Sequence, residues 1–437
     1  MQRRAINSRD GHLSLPTATP ARKVWLRVGT LIDGESDRPR RDAHIVYTSD
    51  SFLHVSSEGE PPPRKVLNAG QTHPDAELPG FTLLPCLVDS HAHLFLEGGA
   101  LDPGQRSSNF RAPRGLMLAS AKGRLEKLIR FGIAGVRDAG DKMKIGLALS
   151  KIAPSRRGGH LPYIDSPGSA IFHSGEYGGF MGDAVENFRS RRECIAARVH
   201  DGAARIKLIV SDVIDFRTGI VMRPPQMSAA EVREFSALAR SKKMQTFAHA
   251  SGDLGIQNAV TGGVDTVEHG FFVRDDQLAR MRDVGIALVP TLSPLRQQIR
   301  HSRTLGLDGK ATSNLRRILE GHSNALLKAR RMGVMLLAGS DAGAPGVLHG
   351  VGLIEELCLM EAAGLPAMEV LKSGTGNPNH RLEFSESFGV VKPGSRSRFI
   401  LTRHSPLRKI ANLHKPKFIV FDGDFLATEE GAETSGL

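Results

Sequence analysis

Apolar and polar residues alternate with two different periods along this chain. Near the amino end, "KVWLRVGTLIDG", "DAHIVYTSD" and "FLHVSS" switch at every residue and are broken by Gly, Asp and Ser. Period-two alternation with such breaks predicts short antiparallel strands. Toward the carboxyl end, "RFILTR" and "KFIVFDGDFL" repeat the pattern. Chain ends commonly lie close together, so the two sets predict one small β-sandwich-like domain built from both ends, residues 23–80 plus 385–430. Over 81–384, short apolar runs are each followed by a longer stretch with helical spacing, which predicts βα units and a parallel sheet. Eight strands are expected there, at 82–90, 133–138, 161–172, 205–210, 244–249, 264–268, 286–291 and 334–340. One intervening helix carries its own start signal, Ser228 with Glu231 three residues on. Eight units in about 300 residues fit an α/β fold of the (β/α)8 TIM-barrel type. A doubly wound sheet would want a glycine-rich phosphate turn after an early strand, and the sequence has none.

Composition narrows the classes. With 40% hydrophobic and 24% charged residues, the 437-residue chain has material for a sizeable core and is neither disordered nor collagen-like. No apolar run approaches the roughly 20 residues that cross a bilayer, so no membrane is expected as a partner. The 58 Lys+Arg exceed the 46 Asp+Glu by 12. That excess is dispersed in short clusters such as Arg189, Arg191 and Arg192, and aromatics are only 5%. A stacking platform for nucleic acid is therefore poorly supplied, and none is expected. Cys86, Cys194 and Cys358 are far apart and odd in number, which predicts no disulfide framework and a reducing, cytoplasmic setting. Residues 1–22 are basic and polar, without the apolar core of a secretory signal, and are expected to form a disordered tail.

The candidate chemistry lies at strand ends. His91 and His93 close "LLPCLVDSHAHLF". Residues two apart on a strand project to one face, so both imidazoles can serve one metal ion. His249 closes "QTFAH", His269 closes "VDTVEHG", and Asp341 follows "VMLLAGS". In a barrel, catalytic residues come from the carboxyl ends of several strands, and three independent arrivals there are less probable by chance than one. Lys207 lies between the apolar Ile206, Leu208 and Ile209. An ammonium there would be badly desolvated, and burial lowers a lysine's pKa toward a neutral, nucleophilic amine. Arg137, ending "GVRD", has the geometry to meet a substrate carboxylate bidentately, and a structural pairing with an acid is the alternative. His349, in "GVLHG", is a further candidate for the pocket.

The stretches "LLPCLVDSHAHL", "LIRFGIAGVRDAGD", "RIKLIVSD", "FAHASGDLGIQNAVTGGVDTVEHG", "LAGSDAG" and "SGTGNPNHRLEF" together resemble the amidohydrolase superfamily of metal-dependent hydrolases, in its imidazolonepropionase- and prolidase-like branch. The resemblance implies two divalent ions, zinc first, with iron, manganese and cobalt as alternatives. It places His91, His93 and Asp341 on one ion and His249 and His269 on the other. Lys207, carboxylated by carbon dioxide to a carbamate, would bridge the two. A metal-activated hydroxide would attack an amide, with Asp341 moving the proton. In the loop "IFHSGEYGGFMGD", Tyr177 and His173 would contact the substrate. The expected reaction is cleavage of small peptide-like or N-acyl amides, as a prolidase or dipeptidase does. Opening of a cyclic amide and a catalytically silent scaffold are the alternatives. Ammonia release from a heterocycle fits less well, because Gly252 stands where those relatives resemble one another in a glutamate. The expected partner is a small molecule, and a homo-oligomer is allowed.

Overall fold

The computed structural model describes residues 13–152 and 160–428. Four strands open the chain: β1 (Val24–Leu31), β2 (Arg40–Tyr47), β3 (Phe52–Val55) and β4 (Ala76–Pro85). The middle carries β5 (Leu87–Ala92), β6 (Ile133–Asp138), β7 (Tyr163–Asp165), β8 (Ala170–Phe172), β9 (Gly182–Ala184) and β10 (Ile206–Ile209). It continues with β11 (Ile214–Asp215), β12 (Ile220–Val221), β13 (Thr246–Ala250), β14 (Thr266–His269) and β15 (Ala287–Val289). The chain closes with β16 (Arg398–Thr402), β17 (Phe418–Phe421) and β18 (Asp424–Ala427). Two compact units result. One comprises the described residues of Met1–Val88, Ile129–Ala134 and Ala367–Leu437, the other Asp89–Leu128 and Gly135–Pro366.

The first unit holds a seven-stranded sheet in the order β18-β17-β16-β4-β1-β2-β3, so both chain ends do share one sheet. It is mixed rather than wholly antiparallel, because β1 and β4 run parallel with Leu26 opposite Ala76. The connection between β3 and β4, which contains Pro61 to Pro63, is long enough to carry the chain back for parallel pairing. Alternation sends Val24, Leu26 and Val28 into one buried cluster, and Trp25 into another with Val46 and Leu67. Part of the expected tail is packed: Leu15 and Ala18 are buried in the first of these clusters, which a disordered segment would not permit. Residues 1–12 of that tail lie outside the described residues.

The second unit is α/β with parallel strands. One sheet has the order β15-β14-β13-β10-β8-β9, and β5-β6-β7 forms another. Two expected strands are each divided. The apolar run 82–90 breaks at Cys86, leaving β4 in the terminal sheet and β5 paired with β6. The run 161–172 breaks at Pro167–Gly168, where Gly168 takes a φ of 64°. The segment expected as a strand at 334–340 forms one isolated parallel bridge, Leu336 with Leu288, and Ala342 just beyond it bridges Ala92. The helix Ala229–Ser241 begins with the Ser228–Glu231 capping box. Register sets the chemistry: Ile209 lies opposite His249, and Ala250 opposite His269, so β10, β13 and β14 deliver their polar residues to the same end. Among the described residues, no helix is long and apolar enough to cross a membrane.

Candidate metal centre

His91 and His93 leave the end of β5 beside the turn that carries Asp341. The backbones are tied there, Asp341 N–H donating to His91 O at 2.7 Å and His93 N–H to Ala342 O at 2.8 Å. Asp341 Oδ1 consequently sits 3.3 Å from His93 Nε2 and 3.7 Å from His91 Nε2. One ligand atom from each of the three lies within 4.8 Å of the others. The His269 ring is 5.1 Å from that of His91 and 4.6 Å from that of His249. Lys207, buried on β10, holds Nζ 4.7 Å above the Phe247 ring. All six side chains line one cavity of about 430 Å³, together with Tyr177.

A second layer of buried polar residues sits behind them. His91 Nδ1 meets Glu268 Oε2 at 2.5 Å. Arg137 Nη2 donates to both Glu268 oxygens, at 2.8 and 2.9 Å, while Nε reaches Ser90 O at 2.6 Å and Nη1 reaches Thr266 Oγ1 at 2.9 Å. Asp89 accepts from Ser340 N–H at 2.9 Å and from the Ser340 hydroxyl at 2.5 Å. His269 Nδ1 pairs with Thr291 Oγ1 at 2.7 Å. Partners of this kind fix a ring's orientation and leave its other nitrogen facing the cavity.

Burial shapes the charges. Desolvation pushes His249 down to about 3, and His91 and His269 well below the ordinary imidazole range, so all three are neutral at pH 7. It pushes Lys207 down to about 8, against the opposing pull of Glu268. Buried His91 Nε2, His93 Nδ1 and His249 Nε2 have no hydrogen-bond partner among the described residues. Orphaned buried nitrogens are costly. Neutral imidazoles grouped with a carboxylate are the donor set a divalent cation takes, so these residues fit a metal. Strain marks the same place: His269, Thr291 and Asp341 hold φ of 67°, 47° and 54°, left-handed conformations that cost non-glycine residues about 1–3 kcal/mol each.

The other four expected site residues divide. Tyr177 lines the cavity, its ring 5.4 Å from that of His249, and burial raises its phenol pKa. Arg137 is buried behind the histidines and engaged by Glu268, so the expected contact with a substrate carboxylate is replaced by the structural pairing. His173 pairs with Glu186 at 2.6 Å and Glu231 at 3.3 Å, and is not among the residues lining the cavity. His349 is likewise absent from the lining, its Nε2 lying 3.1 Å from His93 O. Sequence reasoning overlooked Glu268, Asp89 and Thr291. The signal for the two acids was present, since a carboxylate inside an apolar strand needs a partner.

Parallel strands bring histidines and a lysine to one end beside Asp341, a donor arrangement suited to a divalent cation. The chain belongs to the amidohydrolase family, whose profile it matches over residues 82–426, and it is a hydrolase of carbon–nitrogen bonds. Among characterised proteins it is similar to ochratoxinase of Aspergillus niger, 25% identical over 95% of this chain and 88% of that one. Among solved structures it is similar to a Xaa-Pro dipeptidase with methionine bound in the active site, with a TM-score of 0.77 and 24% identity over 93% of this chain and all of that one. The crystal structure of the Aspergillus niger ochratoxinase also has a TM-score of 0.77, at 21% identity over 95% of this chain and 100% of that one.

Proposed function

We propose that the enzyme cleaves amide bonds of small N-acyl or peptide-like compounds, using two divalent ions held by His91, His93, Lys207, His249, His269 and Asp341. The observation that carries this reading is the arrival of those six side chains, from β5, β10, β13, β14 and the segment after Leu336, around one cavity. The resemblance to a dipeptidase and to ochratoxinase supports an amide as the scissile group. Bound there, the ions, zinc in this reading, lower the pKa of water toward neutrality and polarise the scissile carbonyl.

The chain's own residues do the rest. Lys207, whose pKa burial lowers, more readily supplies the neutral amine that would add carbon dioxide, release a proton and become an anionic carbamate. The carboxylate of Asp341 takes a proton from the attacking water and returns it to the leaving nitrogen. Glu268, through His91, keeps a ring nitrogen directed into the cavity. Architecture belongs to the same reading. In this reading the segment around Leu336 and Ala342, bridged to β15 and to β5, serves as the eighth strand of a (β/α)8 barrel, and the seven-stranded sheet forms the small β domain.

Metal analysis of the purified protein with a panel of N-acyl amino acids, Xaa-Pro dipeptides and uncharged N-acyl amines tests the proposal. Two equivalents of metal and turnover are expected, with Asp341→Asn slowing turnover by about a thousandfold. Protein that carries its metal yet hydrolyses no amide would sink the reading.

A further inference from the structure

Beyond the six proposed ligands, the cavity wall is mostly carbon. Ile214, Phe216, Phe271, Leu295, Leu305 and Leu307 all face it. They come from separate places: the region of the β11–β12 hairpin, the turn after β14, the helix Leu292–Arg300 and the loop behind that helix. Ile214, Phe271 and Leu295 are packed in one buried cluster with Leu315 and Ile318, so this wall is backed rather than loose. Its remaining polar side chains, Tyr177, Ser251 and Gln298, are neutral.

No guanidinium lines the cavity among the described residues. Three arginines from neighbouring segments are committed elsewhere. Arg137 is held by Glu268, Arg106 donates to the main-chain oxygens of Glu97, Ala100 and Gly343, and Arg223 pairs with Glu176 and Asp212. Lys207 is the cationic side chain in the lining, and the proposed function commits it to the metals as a carbamate. A carboxylate seated against this wall would lose its water and gain no cation in exchange, which is unfavourable. An uncharged aryl or branched alkyl group would gain from the same burial.

We propose that the preferred substrates are amides whose group against this wall is apolar and uncharged, with no free carboxylate beside the scissile bond. The proposal rests on the amide-hydrolase reading of the same site, and separating binding from turnover tells the two apart. Metal-loaded, full-length protein is titrated calorimetrically with two ketones in which CH2 replaces the amide N–H, so that neither is cleaved. One is the isostere of N-benzoylphenylalanine, the other the isostere of N-benzoylphenethylamine, which lacks the carboxylate. The uncharged ketone is expected to bind about tenfold more tightly or better. Gln298→Arg, which places a guanidinium at the wall, is expected to shrink or reverse that preference. Equal or tighter binding of the carboxylated ketone to the unaltered protein, or no binding of either at millimolar concentration, overturns the proposal. The two parent amides are then assayed. A retained binding preference without cleavage of either amide defeats the hydrolase reading and leaves the preference standing.

Discussion

Glu268 precedes His269 in the chain but serves His91, 177 residues away. Its two oxygens hold both a ring nitrogen of His91 and the buried guanidinium of Arg137. Glu268→Gln keeps the shape, removes the charge, and leaves Arg137 without its counter-ion. Metal affinity, measured by competition with a chromogenic chelator, is expected to fall about 10–100-fold. Unchanged affinity would mean the pair only supports packing. His91, His93, His249, His269, Lys207 and Asp341 were visible in the sequence because their residue types are unusual at the ends of apolar runs. The fate of Arg137 was not, because which acid reaches it depends on β6 and β14 being brought together by the fold.

The helix Leu292–Arg300 carries Leu295 and Gln298 to the cavity, yet it starts at Thr291 without a side-chain cap of its own. Glu356, on the helix Val351–Ala362, supplies the missing acceptor. It takes the N–H groups of Leu292 and Ser293 at 2.9 and 2.7 Å and the Ser293 hydroxyl at 2.9 Å. Glu356→Ala strands two buried donors at a helix start. The variant is expected to lose about 2–4 kcal/mol of unfolding free energy, read from the shift of its urea midpoint. Chain patterning placed most parallel strands within a residue or two and missed where runs divide. Apolarity continues through Cys86 and through Pro167–Gly168, and only pairing decides that the strands on either side join different sheets.

At the scale of the molecule, burial disfavours the charged form of several titratable groups. His322 is buried with Nε2 3.1 Å from Pro290 O, and desolvation lowers its pKa to about 4. Above the unfolded value near 6.5 neither state is charged. As the pH falls below that, the unfolded chain takes the proton first, so stability is lost down to the folded value, by about 3 kcal/mol for this residue. Burial acts oppositely on the acids, raising Asp89 to about 6 and Glu356 to about 7. Their contributions are present below the unfolded carboxyl values near 4 and disappear as the pH rises through 6 to 7. Unfolding of chelator-treated protein at pH 7 and at pH 4 isolates the histidine. Wild type is expected to lose about 3 kcal/mol more than His322→Asn across that interval. A parallel loss in both would place the titration elsewhere. The order of residues alone determined the alternation of strands and helices and the donor types at strand ends, because both follow from local period and from the cost of burying charge. Which donors share a cavity, which arginine is already engaged and what lines the wall were decided only by tertiary structure, because each depends on contacts between segments far apart in the chain.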